Sequence, residues 1–203
     1  MSSLPAIPVH VWLDPSCPWA WQTARWLRDL RDRGLLTLSY SLFSLELNAS
    51  PLGTPFREAA RLHGDALGAL ALARREGGAA ALERLYVALG SREHEAKREQ
   101  TPALLLEAAG EIGDPGLPER AASMPELDAE LEAEFREARA ASVFGVPTLR
   151  IGADKVIYGP LMALAPSGDD ALTLWASIRE LSARPDFFEL KRWPRDVRPG
   201  HRP

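Results

Sequence analysis

The stretch IPVHVWLDPSCPWAWQTARWL, Ile7 to Leu27, leaves the chain few ways to begin folding. Val9, Val11 and Leu13 alternate with His10 and Trp12, the period-two pattern of a strand. PSCP then turns the chain into a helix from about Pro18 to Arg31. In it Ala20, Ala24, Leu27 and Leu30 recur at helical spacing, and Gly34 stops it. LLTLSYSLFSL follows as a second strand. A strand, a helix and a strand of these lengths form a βαβ unit whose two strands lie parallel.

From Pro51 to about Ser142 the pattern is helical throughout. Thr54–Pro55 reads as a cap and first-turn proline, and Gly77–Gly78 as the end of that segment. Leu82, Leu85, Tyr86 and Leu89 mark a second helix closed by Gly90, Thr101–Pro102 opens a third, and Pro125 opens a fourth. The stripe Leu127, Leu131, Phe135 and Ala138 is the apolar face of that last one, and it reads as core packing. Strands then return: VPTLRIG and KVIYG, on either side of ADK, predict a hairpin with Gly152 beside its turn. A final helix starts at Ser167 with Asp170 as an acidic capping box, and Leu174, Trp175, Ile178 and Leu181 face inward. In the tail FFEL is expected to dock and RPGHRP to fray. The order β-α-β, helices, β-β-α predicts an α/β thioredoxin-like fold with a large all-helical insertion. Residues 1–48 and 143–203 form the thioredoxin-like part and 49–142 the insertion.

Several function classes drop out on composition. A net charge of −4 offers no polyanion-binding surface, so nucleic acid is not expected as a partner. No apolar run is long enough for a membrane helix, and the N-terminus has no signal-peptide pattern. One cysteine cannot form an internal disulfide and suits a reducing compartment. A cytoplasmic protein is therefore expected. His10, His63 and His201 are too scattered to build a metal site with one cysteine, and none is expected.

That cysteine, Cys17, stands where a strand gives way to a helix. There the first backbone N–H groups lack intrahelical partners and the dipole favours negative charge. A thiolate so placed is held at a pKa of about 7 or below, against about 8.5 for a free thiol, so the anion is the expected resting form. Pro18 at the first helical position loses no needed N–H, and Trp19 and Trp21 can wall the site. The second piece is FGVPTL. In a thioredoxin-like fold a cis Val146–Pro147 bond would lie against the sulfur and present the Val146 backbone to an extended substrate. A trans proline that merely opens a strand is the alternative.

WLDPSCPWAW, SLFSLELN, GSREHE, VFGVPTLRIG and FFELKR together resemble the DsbA-like branch of the thioredoxin superfamily. Within it they look most like the actinobacterial mycothiol-dependent reductase (nitroreductase-type) family, from about Val9 to Arg192. Cys17, Trp19, Asn48, His94, Pro147 and Thr148 match the family's site positions. The resemblance implies a thiol site that takes electrons from a low-molecular-weight thiol and passes them to a disulfide or electrophilic small molecule. No tightly bound cofactor is implied; mycothiol or glutathione would be the cosubstrate, and a homodimer is compatible with the family.

The remaining candidates each have a plainer reading. Asn48 is either a rim residue bonding a thiol cosubstrate or a turn residue before ASPLGTP. His94 either donates to a bound thiolate or relays protons, or it is a solvated residue in the charged run REHEAKRE. Thr148 either holds a substrate group through its hydroxyl or is a β-branched strand residue.

The family has a second cysteine where this chain has Ala20. Attack by Cys17 on a disulfide would leave it joined to half the substrate, and release must come from a second thiol molecule. A thiol–disulfide oxidoreductase working by this monothiol cycle is the first expectation. A kappa-class glutathione transferase or hydroxychromene-carboxylate isomerase-like enzyme is the second, and a non-catalytic thioredoxin-fold binding module the third.

Overall fold

The computed structural model describes residues 6–60, 62–152, 155–192 and 197–200. Strand β1 (Ile7–Leu13) leads through a short turn into helix α1 (Pro18–Asp32) and back along β2 (Leu36–Leu42). Helices α2 (Leu45–Ala49), α3 (Phe56–Ala59) and α4 (Gly64–Gly90), a π-helical turn at Ser91–Glu95, then α5 (Pro102–Glu111), α6 (Leu117–Ala122) and α7 (Pro125–Ala140) follow. The chain returns as β3 (Thr148–Ile151) and β4 (Lys155–Tyr158) and ends its regular structure with α8 (Gly168–Ala183).

The four strands make one sheet in the order β2-β1-β3-β4. β1 and β2 run parallel, while β3 is antiparallel to both β1 and β4, with Trp12 opposite Thr148 and Thr148 opposite Tyr158. This is the mixed α/β sheet of a thioredoxin-like fold, with helices inserted between β2 and β3. Val9, Val11 and Leu13 are buried as the alternation requires. On α1, Trp26 is fully buried; its indole N–H donates to the Ala171 carbonyl of α8 at 3.1 Å and its ring meets Trp175 edge-on at 6.1 Å. Among the described residues no helix is long and apolar enough to cross a membrane.

Two carboxylates fasten the helical block to the βαβ unit. Glu83 of α4 accepts from Arg28 and Arg31 of α1 and from the Tyr40 hydroxyl of β2. Glu134 of α7 accepts from both terminal guanidinium nitrogens of Arg74 and from the N–H of Leu42, the last residue of β2. Each spans elements far apart in sequence, and charge-assisted bonds of this kind are worth more than neutral ones.

Several boundaries differ from those expected. Thr54 does not cap a helix: its hydroxyl donates to Pro51, and the helix begins only at Phe56 after an uncapped Pro55. Gly78 does break helical geometry, at φ 69°, which only glycine adopts at little cost, yet α4 resumes beyond it. Gly90 does not close the next segment; it keeps a helical backbone, and the chain widens into the π turn. Its glycine is there for space, because a Cβ would clash with the Trp21 ring. Ser167 makes no side-chain cap bond to α8, so the acidic capping box does not form. In the tail Phe188 and Leu190 are 91% and 81% exposed, so of FFEL only Phe187 is partly buried and the rest does not dock. Gly200, expected to fray, instead donates to the Ala163 carbonyl at 2.6 Å. The hairpin's turn residues Ala153 and Asp154, like His201, lie outside the described residues.

Candidate active site

β1 ends against a buried carboxylate. Asp14 accepts from the Ser16 N–H and hydroxyl on one oxygen, at 2.8 and 2.6 Å, and from the Leu45 N–H of α2 on the other, at 2.8 Å. Its backbone carbonyl accepts the Cys17 N–H. This Asx turn sets Cys17 as the N-cap of α1 in an extended conformation, and ties the turn to the start of the helical block. Burial pushes the Asp14 carboxyl upward, against the pull of those three donors.

The Cys17 sulfur accepts from the Ala20 N–H at 3.4 Å and its S–H faces the Val146 carbonyl at 3.7 Å. A neutral thiol meets both contacts, one as acceptor and one as donor. Cys17 is only 5% exposed. Burial pushes the thiol up to about 11; the Ala20 and Trp19 N–H groups oppose this, and the Asp14 charge adds to it. The thiolate expected at rest from the helix terminus is therefore not the resting form. The cap is present, but loss of solvation outweighs it.

Pro18 is the first residue of α1, and Trp19 is half-buried against the core. Val146–Pro147 is cis and buried, and the Pro147 carbonyl accepts the Gly159 N–H at 2.8 Å. Gly159–Pro160 is also cis, and the Pro160 carbonyl accepts the Thr23 hydroxyl of α1 at 2.7 Å. The loop facing Cys17 is thus fastened back to the helix that carries Cys17.

His94 is buried, not solvated as its charged run suggested, and its Nε2 donates to the Pro15 carbonyl at 2.8 Å. Asn48 sits in α2, donates to the Phe144 carbonyl at 3.2 Å, and accepts from Arg139. Each clasps a backbone group two residues away, His94 before Cys17 and Asn48 before Val146. The Thr148 hydroxyl is buried and donates to the Gly145 carbonyl at 2.6 Å, so it faces its own loop and not a substrate.

Sequence reasoning does not single out Asp14 or Tyr86 for the site. Asp14 had a signal, since Asp-x-Ser before a helix is an Asx-turn pattern. Tyr86 is hidden in an apolar stripe. Trp21 was expected to wall the site; it does so from inside, 2% exposed, with its ring 5.6 Å from Tyr86 and 6.0 Å from His94. Among the described residues no three His, Cys, Asp or Glu side chains group to hold a metal ion.

The family described as mycothiol-dependent nitroreductase Rv2466c, Rv2466c-like, matches residues 16–192. The uncharacterized protein Rv2286c of Mycobacterium tuberculosis is 29% identical over 182 residues, covering 88% of this chain and 79% of that protein. Among solved structures, a probable DsbA oxidoreductase, SCO1869 of Streptomyces coelicolor, superposes with a TM-score of 0.60 at 18% identity, covering 94% and 97% of the two chains. The cytosolic disulfide reductase DsbM of Pseudomonas aeruginosa, with GSH, gives 0.53 at 20% identity over 85% and 99%. At these identities the two structures speak for the fold alone. The match over most of the chain, with a lone N-cap cysteine facing residue 146, makes this protein a member of the Rv2466c-like, mycothiol-dependent nitroreductase family of thiol-dependent oxidoreductases, one that lacks the second cysteine.

Proposed function

We propose that the protein is a thiol–disulfide oxidoreductase that works through Cys17 alone, with a low-molecular-weight thiol, mycothiol or glutathione, as cosubstrate. The observation that carries this is one sulfur held between the α1 N-terminus and the Val146 carbonyl, while fully buried Ala20 fills the position of a resolving cysteine. The pairing of DsbM with GSH, on a similar fold, supports a tripeptide-sized thiol as partner.

In the first step Cys17 loses its proton and its sulfur bonds to one sulfur of the substrate. The substrate S–S bond breaks and the other half departs as a thiolate. A second thiolate then attacks the substrate-derived sulfur, breaks the mixed disulfide and returns Cys17, so the electrons come from the cosubstrate. Val146 backbone groups align the incoming disulfide as a short extended pairing. Trp19 and Pro18 line its entry. Asn48 and His94 hold the two loops on either side, and Thr148 stiffens the Gly145–Thr148 turn. The working unit is a thioredoxin-like part, residues 1–48 and 143–203, carrying the helical insertion 49–142, in a reducing cytoplasm.

Turnover of a small disulfide with added thiol, measured for wild type and Cys17→Ser, tests this directly. The variant is expected to lose all turnover, and disulfide reduction that survives it defeats the proposal. One observation favours a second reading: a thiol that rests neutral suits reversible thiol binding, as in a transferase or isomerase. Intact-mass measurement after exposure to an oxidised thiol separates the two, since only exchange leaves a covalent adduct on Cys17.

A further inference from the structure

Cys17 is 5% exposed, so a disulfide reaches its sulfur only after something around it moves. Two segments bracket the cysteine. On one side the π turn is fixed to the chain just before Cys17, through His94 Nε2 on the Pro15 carbonyl at 2.8 Å. On the other side the chain after β4 is fixed to the loop that faces the sulfur, through the Gly159 N–H on the Pro147 carbonyl at 2.8 Å. That second segment is also tied to α1, with the Thr23 hydroxyl on the Pro160 carbonyl at 2.7 Å and the Ala165 N–H on the Gln22 side chain at 2.9 Å.

One stretch of chain, Val197–Gly200, joins the two brackets. The Gly200 N–H donates to the Ala163 carbonyl at 2.6 Å, and the Lys97 ammonium, just past the π turn, donates to the Pro199 carbonyl at 3.5 Å. Gly200 holds a φ of +81°, which glycine adopts at little cost. A Cβ there would lie 2.6 Å from Lys97 Nζ and 3.6 Å from the His94 carbonyl, so the residue is wedged against the π turn. Contacts therefore run in a closed circuit: Cys17 to Val146, Pro147 to Gly159, Ala163 to Gly200, Gly200 to the π turn, and His94 to Pro15 beside Cys17. While Gly200 bridges them, the two brackets keep a fixed separation. With the bridge gone, each is held on its own side only.

We propose that Val197–Gly200 is a strap that closes the approach to Cys17 and releases Ala163 and Lys97 to admit a disulfide or thiol. The inference rests on Cys17 being the reacting group. The strap is the link of the circuit most easily opened. The His94 bond is buried, and Pro147 and Gly159 are buried as well. The strap is only partly buried, with Arg198 exposed, and one backbone hydrogen bond and one long lysine contact hold it. Segments held by few, solvent-accessible bonds are the ones that open locally while the rest stays folded.

The test is the rate of alkylation of Cys17, the only cysteine, by iodoacetamide at pH 8 and at a temperature well below the melting midpoint. Wild type is compared with Gly200→Pro and with a chain cut after Arg192. Proline has no N–H for Ala163, and its φ, fixed near about −65°, cannot reach the positive value this position holds. Losing one backbone hydrogen bond shifts a local opening equilibrium about 2- to 12-fold. Alkylation is expected to speed up by that factor in Gly200→Pro and by at least as much in the cut chain, with the far-UV circular dichroism of wild type retained. Should the cut chain lose its helical signal, Gly200→Pro alone decides. An unchanged or slower rate in a folded variant would make the segment a brace and overturn the strap, as would a faster rate seen only where helix is lost. Alkylation needs no turnover, so this result is independent of whether Cys17→Ser loses disulfide reduction.

Discussion

Taking the protein from pH 7.5 to 10.5 should destabilise it more than the same change destabilises its Cys17→Ser variant. In the folded state burial moves the Cys17 thiol from an ordinary 9.0 to about 11. The unfolded chain therefore releases this proton first. Between pH 9 and 11 the unfolded state binds fewer protons than the folded one, so stability falls as pH rises through that window. The full effect is about 2.7 kcal/mol, and about 1.9 kcal/mol of it is lost by pH 10.5. For a chain of this length that is roughly 4–8 °C in melting temperature. Serine offers the same acceptor and donor in a smaller side chain, but does not titrate in this range. Taking the difference between the two proteins cancels tyrosine and lysine effects common to both. Thermal melts at the two pH values, read by circular dichroism, measure it. Parallel losses in wild type and variant, or a wild type that loses less, would show that Cys17 is not the desolvated thiol described here.

Three further perturbations follow from the packing and the site. Gly90→Ala gains up to ~1 kcal/mol of helix propensity but pushes a methyl into the Trp21 ring; a net loss of about 1–2 kcal/mol in urea unfolding is expected, and an equal or higher stability would refute the contact. Trp26→Phe removes the donor to the Ala171 carbonyl and leaves space against Trp175, for an expected cost of about 2 kcal/mol by the same assay. Ala20→Cys restores a second sulfur at a fully buried position one turn from Cys17. Turnover should then no longer rise with thiol concentration at the release step; a dependence as steep as the wild type's would count against single-sulfur release.

Periodicity and punctuation carried much of the fold. Val9, Val11 and Leu13 declare a strand within seven residues, and Pro102 after Thr101 opens a helix whose cap forms as written, with the Thr101 hydroxyl accepting from Leu104. The expectations that failed were also local ones, overridden from outside. Gly90 looks like a helix stop until Trp21, arriving from α1, gives it another purpose. Ser167 has the cap pattern and Phe188 the apolar side chain to dock, yet the Ser167 side chain makes no cap bond and Phe188 stays exposed. His94 looked like a surface residue because its neighbours are charged, but the π turn rotates it inward to Pro15.

The sequence by itself determined that a lone sulfur stands at the junction of a strand and a helix, and that a proline far along the chain opens the strand meant to face it. Both follow from short-range patterns, which a chain carries wherever it goes. Only the tertiary structure decided the charge of that sulfur, because solvation depends on what arrives from elsewhere: Val146 lies 129 residues away in sequence and His94, against Pro15, 79. The N-cap donors are built into the local sequence, whereas the burial that outweighs them is not.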